Sequence, residues 1–207
     1  MIGNMPERIE IRLAGEGGQG MILAGIVLAE AAAIYDGKNA VQTQSYGPEA
    51  RGGASKAEVV ISPGEIDHPE VLEADAVITL SQAAFQKFSG RFGLDGRLLP
   101  EEANEAVRTI KPGGYLIVDE EKVDANVPLG NVRLIRLPIT RMALETTGKV
   151  ITANVVALGV LVGLTGVVSQ EAIEKAVIAR APRGTEEMNR KALQAGFQMA
   201  EKVKNEK

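Results

Sequence analysis

The chain is expected to be an α/β protein, with a mostly parallel sheet flanked by helices and a helical C-terminal segment. Short β-rich runs alternate with helical ones as far as residue 137, and from Pro138 onward only helical patterns follow. A third observation bounds the size. The 207 residues with 45% hydrophobic content suffice for one core. No internal repeat or low-complexity linker divides them, so residues 1–207 read as a single domain.

Residues 8–13, Arg-Ile-Glu-Ile-Arg-Leu, alternate with period two and run into Gly15, the pattern of a strand ending in a turn. Residues 19–33 are alanine-rich and apolar on nearly all sides, which predicts a buried helix. Strands are expected at 39–43, 55–61 and 74–80, followed by helices over 82–88 and 100–110. Pro112-Gly113-Gly114 then breaks the chain before a strand over 115–118, and 132–137 is the last strand. Helices follow over 139–147, 153–164, 170–181 and 184–204. Ser169 is placed to cap the third of these, and Met188, Ala192, Ala195, Met199 and Val203 form a narrow apolar stripe on the fourth.

Residues 150–170 carry no charge and contain Gly159-Val-Leu-Val-Gly163, so they must be weighed as a membrane span. Asn154 reads as an N-cap and residues 163–166 as a helix end. That leaves about three turns, too short to cross a bilayer. The glycines then read as points of close packing inside a soluble protein.

Composition excludes several chemistries. The chain has no cysteine, no tryptophan, one histidine (His68) and 3% aromatic residues. Without thiolates it cannot by itself ligate an iron–sulfur cluster, a structural zinc or a disulfide framework, and one imidazole makes no histidine-rich metal site. Twenty-three basic against 27 acidic residues give a net charge of −4. With no basic run of five or more, a nucleic-acid surface is not expected. The first residues lack the basic and apolar regions of a secretory signal, which predicts a cytoplasmic chain with no membrane partner. His68, in Ile66-Asp67-His68-Pro69, reads as a turn residue, and Asp119-Glu120-Glu121 as a solvated strand exit.

Two glycine-rich segments stand out. Gly15-Glu16-Gly17-Gly18-Gln19-Gly20 matches G-x-G-x-x-G after the first strand and at the start of the first long helix. Glycines there allow positive φ and close approach, and the helix end attracts anions. A dinucleotide site also wants an acidic residue at the end of the second strand, which here reads Gln42-Thr43-Gln44; Asp36 lies earlier, in the turn-like Tyr35-Asp36-Gly37-Lys38. A P-loop would need lysine where Met21 stands. Contact with an anionic ligand and a tight turn that packs strand on helix both remain open. The second segment, residues 42–53, is polar and is placed at the carboxyl ends of the strands, beside the first. Its Arg51 is suited to fork a carboxylate or phosphate and its Tyr46 to stack on a ligand. A solvated connector with a Glu49–Arg51 pair is the alternative.

These two segments, followed by Ala57-Glu-Val-Val-Ile61, together resemble the γ subunit of the 2-oxoacid:ferredoxin oxidoreductases, most closely the 2-oxoglutarate type. The likeness extends to Pro182-Arg-Gly-Thr-Glu-Glu-Met-Asn189. It implies the γ-domain fold and a place in a multisubunit enzyme that decarboxylates a 2-oxoacid, forms an acyl-CoA and sends electrons to ferredoxin. It also implies α, β and δ partner subunits that carry thiamine diphosphate with magnesium, the iron–sulfur clusters and most of the coenzyme A contacts. The Gly-Asp-Gly of the family's thiamine site is absent here. The chain is therefore expected to hold no cofactor or metal alone, to supply no catalytic residue and to be inactive in isolation. Candidate contacts to coenzyme A, substrate or partner are Gly15, Gly17, Gly18, Gln19, Gly20, Ser45, Tyr46, Gly47, Arg51, Gly52 and Gly53. Alternatives are a subunit of a pyruvate, branched-chain or indolepyruvate enzyme, a stand-alone nucleotide-dependent enzyme, and a noncatalytic homo-oligomeric binding protein.

Overall fold

The computed structural model describes residues 8–46, 53–88, 109–125 and 131–206. Strand β1 (Ile9–Glu16) leads through helix α1 (Met21–Glu30) to β2 (Asn39–Tyr46) and β3 (Ala54–Ser62). Then come β4 (Glu73–Thr79), α2 (Gln82–Phe88), β5 (Thr109–Asp119) and β6 (Arg133–Leu137). Helices α3 (Ile139–Thr147), α4 (Ala153–Thr165), α5 (Gln170–Arg180) and α6 (Glu186–Asn205) complete the described chain.

Among the described residues there is one six-stranded sheet, in the order β2-β3-β1-β4-β5-β6. β1, β4, β5 and β6 pair in parallel, whereas β3 is antiparallel to both β2 and β1. β2 and β3 form a hairpin, so β3 runs back while β2 keeps the direction of β1. The carboxyl ends of the five like-directed strands therefore lie on one edge of the sheet. Period-two alternation explains β1: Ile11 and Leu13 enter the large core beneath α1 and α4, while Glu10, Arg12 and Ala14 face the other side.

The C-terminal helices explain the uncharged stretch. Helix α4 is buried on almost every side, between the sheet, α1, α5 and α6. No helix among the described residues is long and apolar enough to cross a membrane. Gly159 and Gly163 act as the close-packing points expected of them. A Cβ built on Gly159 would lie 2.9 Å from Gly196 Cα of α6, and one on Gly163 would lie 2.5 Å from Ala200 Cβ.

Several expectations need correction. Asn154 is not a cap but sits inside the first turn of α4, where Thr152 holds the N-cap position. The helix end expected over 163–166 is present, with α4 running to Thr165 and stopping at Gly166 with φ 64°. Helix α1 begins at Met21, not residue 19, and ends in a π-helical turn, Ala31–Tyr35. It is also not buried all round, since Leu23 is 43% exposed. The helix expected over 100–110 lies largely outside the described residues, and its last two residues, Thr109 and Ile110, belong to β5. Pro112-Gly113-Gly114 does not precede that strand but lies within it, at a register shift against β4 where the missing proline N–H is tolerated. The α6 stripe is broader than expected, because Leu193, Gly196, Phe197 and Ala200 are buried as well. Ser169 does cap α5, its hydroxyl accepting the Ala172 N–H at 3.1 Å.

Candidate functional site

The glycine turn is built into three neighbouring elements. Gly15 and Glu16 still belong to β1, residues 17–19 make the turn, and Gly20 (φ 72°) precedes α1. The Gln19 side chain folds back as a clamp. Its Oε1 accepts the Glu16 N–H at 2.7 Å, and its Nε2 donates to the Leu80 carbonyl, at the end of β4, at 3.0 Å. Asn154 of α4 donates to the Gly20 carbonyl at 3.2 Å, and a Cβ on Gly20 would meet that amide at 2.6 Å. A Cβ on Gly15 would meet Gln19 Oε1 at 2.6 Å. Close packing thus accounts for Gly15 and Gly20. Gly18 differs, since with φ 94° it has no neighbour within 4 Å of the Cβ position and opens onto a cleft.

Gln19→Ala removes both arms of the clamp. With roughly 1 kcal/mol per hydrogen bond, it is expected to destabilise the chain by about 1–2 kcal/mol, read as a lower urea midpoint with an unchanged m-value.

The cleft measures about 550 Å³ and lies where the ends of β1, β4 and β5 meet the C-terminal helices. Connections from β1 and β4 leave in opposite directions across the sheet, so this is the switch point at which α/β folds bind ligands. Gln19, Ser81, Gln82, Lys122, Thr140 and Ile151 line it. Ser81 and Gln82 are committed to the fold: Ser81 Oγ accepts the Ala84 N–H at 3.2 Å, and Gln82 Oε1 accepts the Asp124 N–H at 2.7 Å. Asp119 is the opposite of a solvated exit. It is 0% exposed, and its carboxylate accepts the Thr140 N–H at 2.8 Å and the Glu121 N–H at 3.2 Å, fixing one wall of the cleft. Lys122 keeps no ion pair among the described residues and offers a free ammonium at this edge. The sequence reading did not single out Lys122, Thr140 or Ile151. Their signal was positional, since each follows shortly after β5, β6 or α3.

The second segment joins the first through the backbone. Gly17 N–H donates to the Gly53 carbonyl at 3.1 Å, and Ser55 Oγ donates to the Gly15 carbonyl at 3.3 Å. Ser45 and Tyr46 are not loop residues: β2 extends through both, opposite Lys56 and Ser55 of β3. Tyr46 is exposed. Gly47, Glu49, Arg51 and Gly52 lie outside the described residues.

On the opposite face of the sheet from α1, Arg12 is buried beside Glu58, Nε donating to Oε1 at 2.9 Å, and Lys56 approaches Oε2 of the same carboxylate at 2.9 Å. Arg12 also donates to the Phe88 carbonyl, closing the end of α2, at 3.0 Å. Burial opposes ionisation of Glu58, but Lys56 and Arg12 outweigh it and hold the carboxyl below its ordinary range. His68 is half exposed and 4.0 Å from Glu70. Among the described residues no three His, Cys, Asp or Glu side chains converge as a metal site.

The pyruvate ferredoxin/flavodoxin oxidoreductase family matches residues 10–199. In Methanothermobacter thermautotrophicus, the 2-oxoglutarate synthase subunit KorC is 46% identical over 197 residues, covering 93% of this chain and 95% of its own length. The ketoisovalerate oxidoreductase subunit VorA of the same organism is 31% identical, covering 93% of this chain but only 36% of its own. Among solved structures, the γ subunit of a keto/oxoacid ferredoxin oxidoreductase from Geobacter sulfurreducens superposes with a TM-score of 0.77 at 48% identity, covering 94% of this chain and 97% of that one. A match this complete, on a chain whose fold agrees with that of an oxidoreductase γ subunit, means that the protein belongs to the pyruvate ferredoxin/flavodoxin oxidoreductase family.

Proposed function

We infer that the chain is the γ subunit of a 2-oxoglutarate:ferredoxin oxidoreductase. That complex would convert 2-oxoglutarate and coenzyme A to succinyl-CoA and carbon dioxide and pass two electrons to ferredoxin. The observation that carries the reading is the gap between 46% identity to an oxoglutarate-type subunit and 31% to a ketoisovalerate-type one from a single organism, over the same share of this chain.

The residues of this chain do not fit the redox cofactors of such a complex. There is no thiol to ligate a cluster. The Gly-Asp-Gly that the resemblance associates with magnesium and thiamine diphosphate does not occur in the sequence. Those groups belong to α, β and δ subunits, and the isolated chain is inactive. Its own contribution is at the coenzyme A or substrate entrance, where Gly18 and Gln19 form the wall, Gly15, Gly17 and Gly20 shape the turn that holds them, and Ser45, Tyr46, Gly47, Arg51, Gly52 and Gly53 are the candidate contacts of the second segment. The complex works in the cytoplasm.

Purifying the tagged chain from its native host tests the assembly. Co-purification of a thiamine-binding chain and a cysteine-rich ferredoxin-like chain is expected, and recovery of the chain alone would sink the reading. Arg51→Ala tests the second segment. Loss of one charge-assisted contact is expected to raise the KM for coenzyme A or the 2-oxoacid about tenfold, or to weaken assembly. If assembly and both Michaelis constants stayed at wild-type values, Arg51 would have no place at that entrance.

A further inference from the structure

Beside the cleft runs a second concavity, an apolar groove of about 280 Å³ between α1, α4, α5 and α6. Leu23, Val27, Val155, Leu158 and Met188 line it, together with Ile151, which also lines the cleft and so forms the ridge between the two. The ridge is solvent-exposed: Val150 is 50% exposed, Ile151 66% and Leu23 43%. Three large aliphatic side chains gathered at two adjoining concavities are more than the scattered exposed leucine that any surface carries.

The charges at the groove are one-sided. Its charged lining residues are Lys149 and Arg180. Arg180 is occupied by Glu30, Nε to Oε2 at 2.9 Å. Lys149 has no ion pair among the described residues. The groove therefore matches an aliphatic side chain followed closely by a carboxylate.

The lengths of the relatives supply a candidate for the chain that provides it. The counterpart of this chain fills 36% of VorA, so in that protein the same domain is covalently joined to nearly twice its own length of other polypeptide. A separate chain must recover by docking what VorA has by covalent connection. We propose that the Leu23–Val150–Ile151 ridge, the groove behind it and Lys149 form the docking surface for the subunit that corresponds to the rest of a VorA-type chain. That subunit inserts an aliphatic side chain into the groove and sets a carboxylate against Lys149. This rests on the chain being a subunit of such a complex.

The test uses the co-expressed complex. Ile151→Asp and Leu23→Asp are expected to lower co-purification of that subunit about tenfold or more, and Lys149→Glu to lower it about fivefold, with the effect shrinking as salt rises. Ile34→Asp, at an exposed apolar position that lines neither concavity, is expected to assemble like wild type. Because a substitution can also act through folding, a photocrosslinking residue at position 151 in the otherwise native complex gives a second reading. It should label a peptide of the VorA-like subunit, and the same probe at position 34 should not. Wild-type assembly by Ile151→Asp and Leu23→Asp, equal loss in Ile34→Asp, or labelling only of another copy of this chain would each overturn the proposal. These outcomes leave the subunit reading standing. A wild-type chain that forms no complex removes both.

Discussion

Gly159→Ala is expected to lower the melting temperature by about 6–12 °C, the equivalent of about 3 kcal/mol for a chain of this size. The added methyl would enter the crossing of α4 and α6, 2.9 Å from Gly196 Cα and 3.1 Å from Phe197 N, and against the Leu193 carbonyl. All three obstacles are backbone atoms. No rotamer change relieves them, so the helices must separate, and α4 is central to the larger core. Gly163→Ala clashes with the Ala200 methyl alone, Phe197 lying at ordinary contact distance, and should cost less. Gly148→Ala is the control: it has nothing within 4 Å, and only its φ of 72° opposes a side chain, worth about 1 kcal/mol. Thermal melts of the three variants give the order directly. If Gly159→Ala melts within experimental error of Gly148→Ala, the close crossing is wrong.

Arg12→Met is the second large effect, expected at about 3–5 kcal/mol. The substitution keeps the apolar stem but takes away one of the two counter-charges described beside the buried Glu58 carboxylate, and it removes the donor to the Phe88 carbonyl. Arg12→Met combined with Glu58→Leu removes the stranded carboxylate and should recover part of the loss. A double mutant as unstable as the single one would show that the carboxylate is not the cause. The same cluster sets a pH dependence. The folded-state pKa of Glu58 lies below its ordinary value of 4.5, so the stabilisation is fully present above pH 4.5 and is lost as pH falls through the lowered value. Urea midpoints should therefore fall below pH 4.5 in the wild type, and less steeply in Glu58→Gln.

Much of this architecture was legible because it rests on local chemistry. Every strand expected from period-two patterns is present, Ser169 caps α5, and Gly159 and Gly163 mark the helix crossing. What was not legible depends on partners distant in sequence. Alternation in residues 55–61 is the same whichever way the strand runs, so the reversal of β3 shows only in its pairing with β1 and β2. Asn154 has the chemistry of a cap, but Gly20, 134 residues away, claims its side chain. Asp119 looks solvated among acidic neighbours until α3 presents the Thr140 N–H to it. The G-x-G-x-x-G turn was found by motif. The structure shows two of its glycines serving close approach to Gln19 and Asn154, with Gly18 left open to the cleft.

The 2-oxoacid dependence of the purified complex tests the central claim most directly. With coenzyme A present and ferredoxin reduction as readout, kcat/KM for 2-oxoglutarate should exceed that for pyruvate, branched-chain oxoacids and indolepyruvate by about tenfold or more. A complex that contains this chain and prefers any of those other acids over 2-oxoglutarate would contradict the account.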